Sequence, residues 1–210
     1  ANESVNHPDG PIINTLFLPD YRYRRISERL DELPQATIDD FKALQYDVVS
    51  LQARDLLKIF LQHLPEGDIK SRLKNWSCQY SPESHEASLF QRLYRNILLE
   101  IFGQPSKEQG GIGWRRMFYL ASRIGYSTTV ITAIDALLQK DSSTWWDQRD
   151  KAAMIRKAAE SLREKDDRPW SEVNAFRFTN RFFEGDRAGR LLGFHTGEFS
   201  MPGNHATPFQ

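Results

Sequence analysis

The sequence predicts a mainly α chain that ends in an irregular part with short strands. Three observations carry this prediction. Apolar residues recur at steps of three and four over residues 38–64 and 87–101. The stretch after residue 142 is dense in Ala, Leu, Lys, Arg and Glu, and all periodicity is lost beyond Pro169, where aromatics and glycines take over. The expected organisation is a helical region over 1–168 followed by an aromatic loop and short-strand segment over 169–210.

Taken in order, residues 1–19 are irregular, Asn-, Pro- and Gly-rich chain, and residues 20–33 carry four arginines on the apolar spacing of a helix. Thr37 is a natural N-cap, with Asp39 and Asp40 in the first turn behind it. From there Ile38, Phe41, Leu44, Val48 and Leu51, then Leu56, Phe60 and Leu64, describe one buried stripe on a single long helix. Ala87, Phe90, Leu93, Ile97 and Ile101 describe a second core helix, closed by Gly103 where a C-cap favours glycine. "QPSKEQGGIG" is a Gly-rich connector, and "WRRMFYLASRIG" and "TTVITAIDALLQK" each predict a short helix, the latter against its β-branched content. "SSTWWDQRDKAAMIRKAAESLREKDD" predicts the clearest helix of all, with Ser and Thr to cap it.

Composition excludes several function classes. Lys and Arg number 28, as do Asp and Glu, so no global field draws the chain to nucleic acid or a membrane surface. Apolar runs such as "LLKIF" and "NILLEIF" fall far short of the roughly 20 residues that span a bilayer. The single cysteine, Cys78, rules out an internal disulfide and a cysteine-built zinc site. Five histidines, His7, His63, His85, His195 and His205, are scattered without metal-ligand spacing, and neither a dinucleotide fingerprint nor a phosphate-binding loop motif is present. The guanidinium groups of Arg22, Arg24, Arg25 and Arg29 suit phosphate, but the acids of "ERLDEL" lie within a turn or two. The expected state is therefore a solvated, partly ion-paired helix face. From composition and periodicity alone, no complete active site emerges.

The order of short motifs is more specific. "PDYRYRRISERL" followed by "TIDDFKALQYDVVSLQARDLL" resembles the R-x-x-R-I-x-x-x-L helix and the LQ-x-D-x-x-S-x-x-A helix of the penicillin acylase family, here with Leu44, Gln45, Asp47, Ser50 and Ala53. "LKNWSCQYSPESHEASLFQRL" is similar to that family's L-x-x-W segment and Ala-x-Leu-Phe helix. "STWWDQRDKAAMIRKAAESL" with "DDRPWSEVNAFRFTNRFF" is similar to its W-x-D, long-helix and W-x-x-(V/H) stretch, and "FSMPGNHATP" to its MPG(D/N) turn.

This resemblance implies an amide hydrolase with an N-terminal nucleophile, in which precursor cleavage frees a serine or related group whose own α-amine acts as general base. It implies an asparagine that donates to the oxyanion, falling on Asn2, and an arginine that supports the site, falling on Arg25 with Arg22 as runner-up. The nucleophile segment and the flanking sheet strands have no counterpart here, so the chain is expected to be an internal or C-terminal portion of a β subunit whose parent has an αββα core. Alone it is expected to be inactive, and its helical layer to leave apolar surface exposed. Its partners would be the α subunit and the rest of the β subunit, with an N-acyl small molecule as the parent's substrate and no nucleic acid or membrane. No cofactor is expected from this chain. Calcium belongs to the full-length parent's possibilities, Asn14 and Asp20 being minor metal candidates. A periplasmic or extracellular location follows if the resemblance holds. The alternative reading is a non-catalytic helical binding or scaffold module whose aromatic tail docks a partner.

Overall fold

The computed structural model describes residues 6, 7, 9–13, 19–102, 134–143, 150–162, 167–176, 182, 187–194 and 197–209. Helices dominate them: α1 (Tyr21–Asp31), α2 (Ile38–Gln45), α3 (Leu51–His63), α4 (Asp68–Asn75), α5 (His85–Phe102), a helical segment at 134–139, and α6 (Lys151–Glu160). Beyond Pro169 come the single-turn α7 (Trp170–Val173), β1 (Ala175–Phe176), α8 (Arg187–Leu191) and β2 (Phe199–Ser200). The two strands pair antiparallel, Ala175 opposite Ser200 and Phe176 opposite Phe199. The chain is thus mainly α with short strands near its end, as its periodicity predicts.

The core is a slab of α3, α5 and α6. Leu51, Ala53, Leu56 and Phe60 of α3 and Ala87, Phe90, Leu93 and Ile97 of α5 are fully buried, as the i, i+3, i+4 spacing requires. Phe90 lies 6.1 Å from the Phe60 ring and 6.2 Å from Tyr94, both stacked. On α6, Met154, Ile155, Ala158 and Ala159 form the stripe that meets α5, and Lys157 reaches across to Glu100 at 2.6 Å. The cap of α6 is Asp150, whose carboxylate accepts from the Ala152 N–H at 2.8 Å, rather than the Ser and Thr expected upstream. α4 follows Gly67 (φ 151°) and contributes Leu73. Gly103, the 104–113 connector, the "WRRMFYLASRIG" helix and the first part of "TTVITAIDALLQK" lie outside the described residues.

One expectation fails instructively. The single long helix from Thr37 is two helices, and Ile38 and Phe41 are 76% and 50% exposed instead of buried. Thr37 does cap α2 in a reciprocal capping box with Asp40. The break comes at 46–50. There the Asp47 carboxylate accepts from the Val49 N–H at 2.8 Å, closing a local turn that competes with helix. Val49 forms a bridge with Gln79, Val48 C=O accepts from Tyr80 N–H at 2.9 Å, and Ser50 N–H donates to Cys78 C=O at 2.9 Å. Ser50 then caps α3, its hydroxyl accepting from Ala53 N–H at 3.2 Å. The helical phase is reset there, so the residues before and after it cannot share one stripe.

The segment after Pro169 folds back onto this slab. Trp170 is buried in the same core as Phe90, edge-on to Tyr80 at 4.9 Å, and its indole N–H donates to Gly203 C=O at 2.9 Å. Gly203 N–H donates to Tyr80 C=O at 2.8 Å, and Asn174 donates to Met201 C=O at 2.8 Å. Gly203 has φ +76°, and a Cβ there would lie 2.7 Å from the Thr207 hydroxyl and closer still to Phe209 C=O, so the turn needs glycine. Beyond this clamp the apolar side chains stand out: Phe176, Phe182, Leu191, Leu192 and Phe194 are exposed.

Candidate functional site

The arginine helix α1 is the natural starting point. It lies against α3, and three of its four arginines are spent on carboxylates. Arg24 reaches Asp55 of α3 at 3.0 Å and passes over the Tyr21 ring. Arg29 pairs with Glu32 and approaches Asp47 at 3.7 Å. Arg25 is the best enclosed, with 15% of its side chain exposed against 8% for its partner Asp47. It holds Asp47 Oδ2 with two nitrogens, Nε at 2.9 Å and Nη2 at 2.7 Å, and reaches Glu28 at 3.4 Å. Burial opposes its charge, but the hydrogen bonds it donates to Asp47 and Glu28 and their negative charges more than offset this and raise its pKa above the ordinary arginine value. Arg54 of α3 also binds Glu28, and that contact leads in holding the Glu28 carboxyl below its usual range. Arg22 differs: its Nε is buried and has no hydrogen-bond partner among the described residues.

Asp47 turns this pair into a junction. One carboxylate oxygen closes the 46–50 turn and the other takes Arg25, while its backbone C=O accepts from Phe209 N–H at 3.0 Å. Tyr46 stacks on Phe209, the ring centroids 5.4 Å apart. Helix α1, the α2–α3 turn and the end of the described chain therefore meet at one point. The motif residues resolve into concrete tasks. Asp47 fixes Arg25, Ser50 caps α3, Ala53 leaves room in the core, and Gly203 carries the indole of Trp170.

A second polar cluster lies at the start of α1, and the sequence reading passes over it. Asp135, in the helical segment 134–139, is 1% exposed. Its Oδ2 accepts from the Tyr21 hydroxyl at 3.0 Å and from Gln52 Nε2 at 2.7 Å, and its Oδ1 accepts from the Tyr94 hydroxyl at 2.5 Å. Burial pushes the Asp135 pKa up, and the three donated hydrogen bonds pull against it. Burial beside this carboxylate raises the pKa values of Tyr21 and Tyr94, so both remain protonated donors. The available signal was a lone acid inside the apolar run "TAIDALL", flanked by the buried Ile134 and Leu138.

Of the residues singled out from sequence, Arg25 and Arg22 lie on α1, whereas Asn2 and Asn14 lie outside the described residues. Asp20 stands just before α1 without a side-chain cap bond, 3.8 Å from Arg24. Among the described residues no three His, Cys, Asp or Glu side chains gather as a metal ion would need, and Asp20 has no acidic neighbour in such a group. Cys78 is buried and its thiol pKa is pushed up to about 11, opposite to what a thiolate nucleophile needs. Ser50 and Ser84 hold helix N-termini through Ala53 and Ala87. What these elements can do is fix an arginine-bearing helix in place and keep its charge.

Comparison with curated proteins gives no match. The family described as penicillin amidase matches residues 1–210, the full span of the sequence. With that match over the whole sequence, and its motifs in the order the resemblance requires, the chain belongs to the penicillin amidase family.

Proposed function

We propose that the chain is the helical part of an amidohydrolase that cleaves a linear N-acyl bond through an acyl-enzyme, the attacking group and its α-amine base coming from the rest of the precursor. The observation that carries this reading is the match of all 210 residues to the penicillin amidase family. The chemistry of the described side chains agrees with it. Cys78 is held as a buried thiol, Ser50 and Ser84 are engaged as caps, and Arg25 is enclosed together with the Asp47 carboxylate that fixes its place.

In this reading Asn2 donates its amide N–H to the oxyanion of the tetrahedral intermediate. Arg25 supports the site without proton transfer, since its pKa is held above the ordinary value and it remains a cation. Arg22 is the competing arginine, because its Nε has no hydrogen-bond partner among the described residues. The carboxyl and amine portions of the substrate would be set by walls contributed elsewhere in the enzyme.

Steady-state kinetics of the full-length processed enzyme, with a chromogenic phenylacetyl or fatty-acyl amide, tests the assignment. Asn2→Ala should lower kcat by roughly two to three orders of magnitude with folding and KM nearly unchanged, the usual effect of losing one oxyanion donor. A near-normal kcat removes Asn2 from that role. Arg25→Ala should lower activity and stability together, whereas a larger loss of kcat in Arg22→Ala with stability intact would transfer the supporting role to Arg22. The 210-residue chain by itself should leave the same amide uncleaved, and hydrolysis by it would overturn the division of labour.

A further inference from the structure

We infer that Asp135 is a positioning residue for the arginine helix: through the Tyr21 hydroxyl it sets where α1 begins and so where Arg25 stands. The inference rests on the proposed role of Arg25 in amide hydrolysis and adds the device that holds that arginine in place.

Asp135 binds three donors from three different helices, Tyr21 from α1, Gln52 from α3 and Tyr94 from α5. Among the described residues it is the most deeply buried polar tie of α1, the others, Arg24 to Asp55, Glu28 to Arg54 and Arg25 to Asp47, lying in more exposed positions. Tyr21 is the first residue of α1 and its buried one. Arg25 follows one turn later, at i+4, so the hydroxyl anchor and the guanidinium share a side of the helix. All three partners offer a proton and none accepts, and the Gln52 amide is turned to donate even though its Oε1 is then left without a partner among the described residues. Such a set fits a carboxylate and is not satisfied by a neutral side chain.

A carboxylate that served stability alone would treat its donors alike. A positioning role predicts that they differ, because Tyr21 stands on the arginine helix and Tyr94 does not. Both tyrosines are nearly fully buried and each loses one hydroxyl when changed to phenylalanine, so the two variants are matched in chemistry.

The experiment compares Tyr21→Phe and Tyr94→Phe in the full-length processed enzyme, using a phenylacetyl p-nitroanilide for kinetics and thermal unfolding for stability. Tyr21→Phe should lower kcat about ten- to a hundredfold at nearly constant KM, the effect of displacing a supporting group by a fraction of an ångström to one ångström. Tyr94→Phe should lose a similar amount of thermal stability with kcat within about twofold of wild type. In a double-mutant cycle, Tyr21→Phe should cost little further activity once Arg25→Ala is present. Unchanged kcat in Tyr21→Phe, or equal losses in both variants, overturns the positioning role while leaving amide hydrolysis standing. Arg25→Ala with wild-type kcat overturns the supporting role of Arg25 and this inference with it, whereas wild-type enzyme that cleaves neither a phenylacetyl nor a fatty-acyl amide overturns the functional reading as well.

Discussion

The slab of α3, α5 and α6 and the rim formed by α2, the paired strands β1 and β2 and helix α8 contain the same residue types in opposite situations. Phe60, Phe90, Leu93 and Ile155 are fully enclosed, whereas Ile38, Phe41, Phe176 and Leu191 are half or more exposed. The difference does not lie in hydrophobicity. In the slab each helix keeps one phase along its length, so its apolar stripe meets another stripe; at the rim the phase is reset, at 46–50 by turn and bridge hydrogen bonds. An apolar residue is driven inward only where the backbone can aim it at a partner.

The sharpest way to break that contrast is a matched pair of truncations. Phe90→Ala removes a ring packed among Phe60, Trp76 and Tyr94 and should cost about 4 kcal/mol. Phe41→Ala should cost less than about 1 kcal/mol, as expected at an exposed site. Denaturant unfolding measures both, and a comparable loss from Phe41→Ala would show that the rim is buried in the working protein.

The seam between the two regions is next. Arg25→Ala leaves the enclosed Asp47 carboxylate without its main cation and should cost about 3 kcal/mol. Lys42→Ala, which removes an exposed pair with Asp39, should change stability by under about 0.5 kcal/mol. Equal effects would mean that the Asp47 junction is no more enclosed than the surface.

The smallest expected effect is a pH dependence at the 201–209 turn. Burial pushes the His205 pKa below its ordinary value, so the folded protein holds the imidazole neutral while the unfolded chain takes up a proton first as pH falls. Its contribution is fully present above about pH 6.5 and is lost as pH falls from there through the folded pKa. Glu28 and Asp167 have lowered pKa values, Glu28 chiefly through Arg54 and Asp167 through Arg72 and His85 against the opposing effect of burial. Their contributions disappear only at lower pH. His205→Gln should therefore flatten the stability profile between about pH 7 and pH 5. A profile that is unchanged would remove His205 as its source.

How much of the molecule was legible follows the same division. The α5 stripe, the Thr37 cap and the strand-poor aromatic segment could be read because each depends on neighbours three or four residues away, and the penicillin amidase family could be read from the order of its motifs. An ion-paired helix face could be expected from the acids near Arg25, but not that two of its nitrogens would converge on one oxygen of Asp47. Asp135 carried only the hint of an acid among apolar residues.

The sequence by itself determined the helical periods, the caps, the balance of charge and the family, because these are properties of residue type and spacing along the chain. Only the tertiary structure decided that the helix from Thr37 would break at Asp47, that Phe41 would face outward, and that Tyr21, Gln52 and Tyr94 would converge on Asp135. The convergence joins Asp135 to partners 41 to 114 residues away, and the break at Asp47 is completed by Cys78, Gln79 and Tyr80 from the far side of α4. A local pattern cannot specify which distant carboxylate will satisfy a buried donor; that is settled when the helices pack and the groups left without water must find one another.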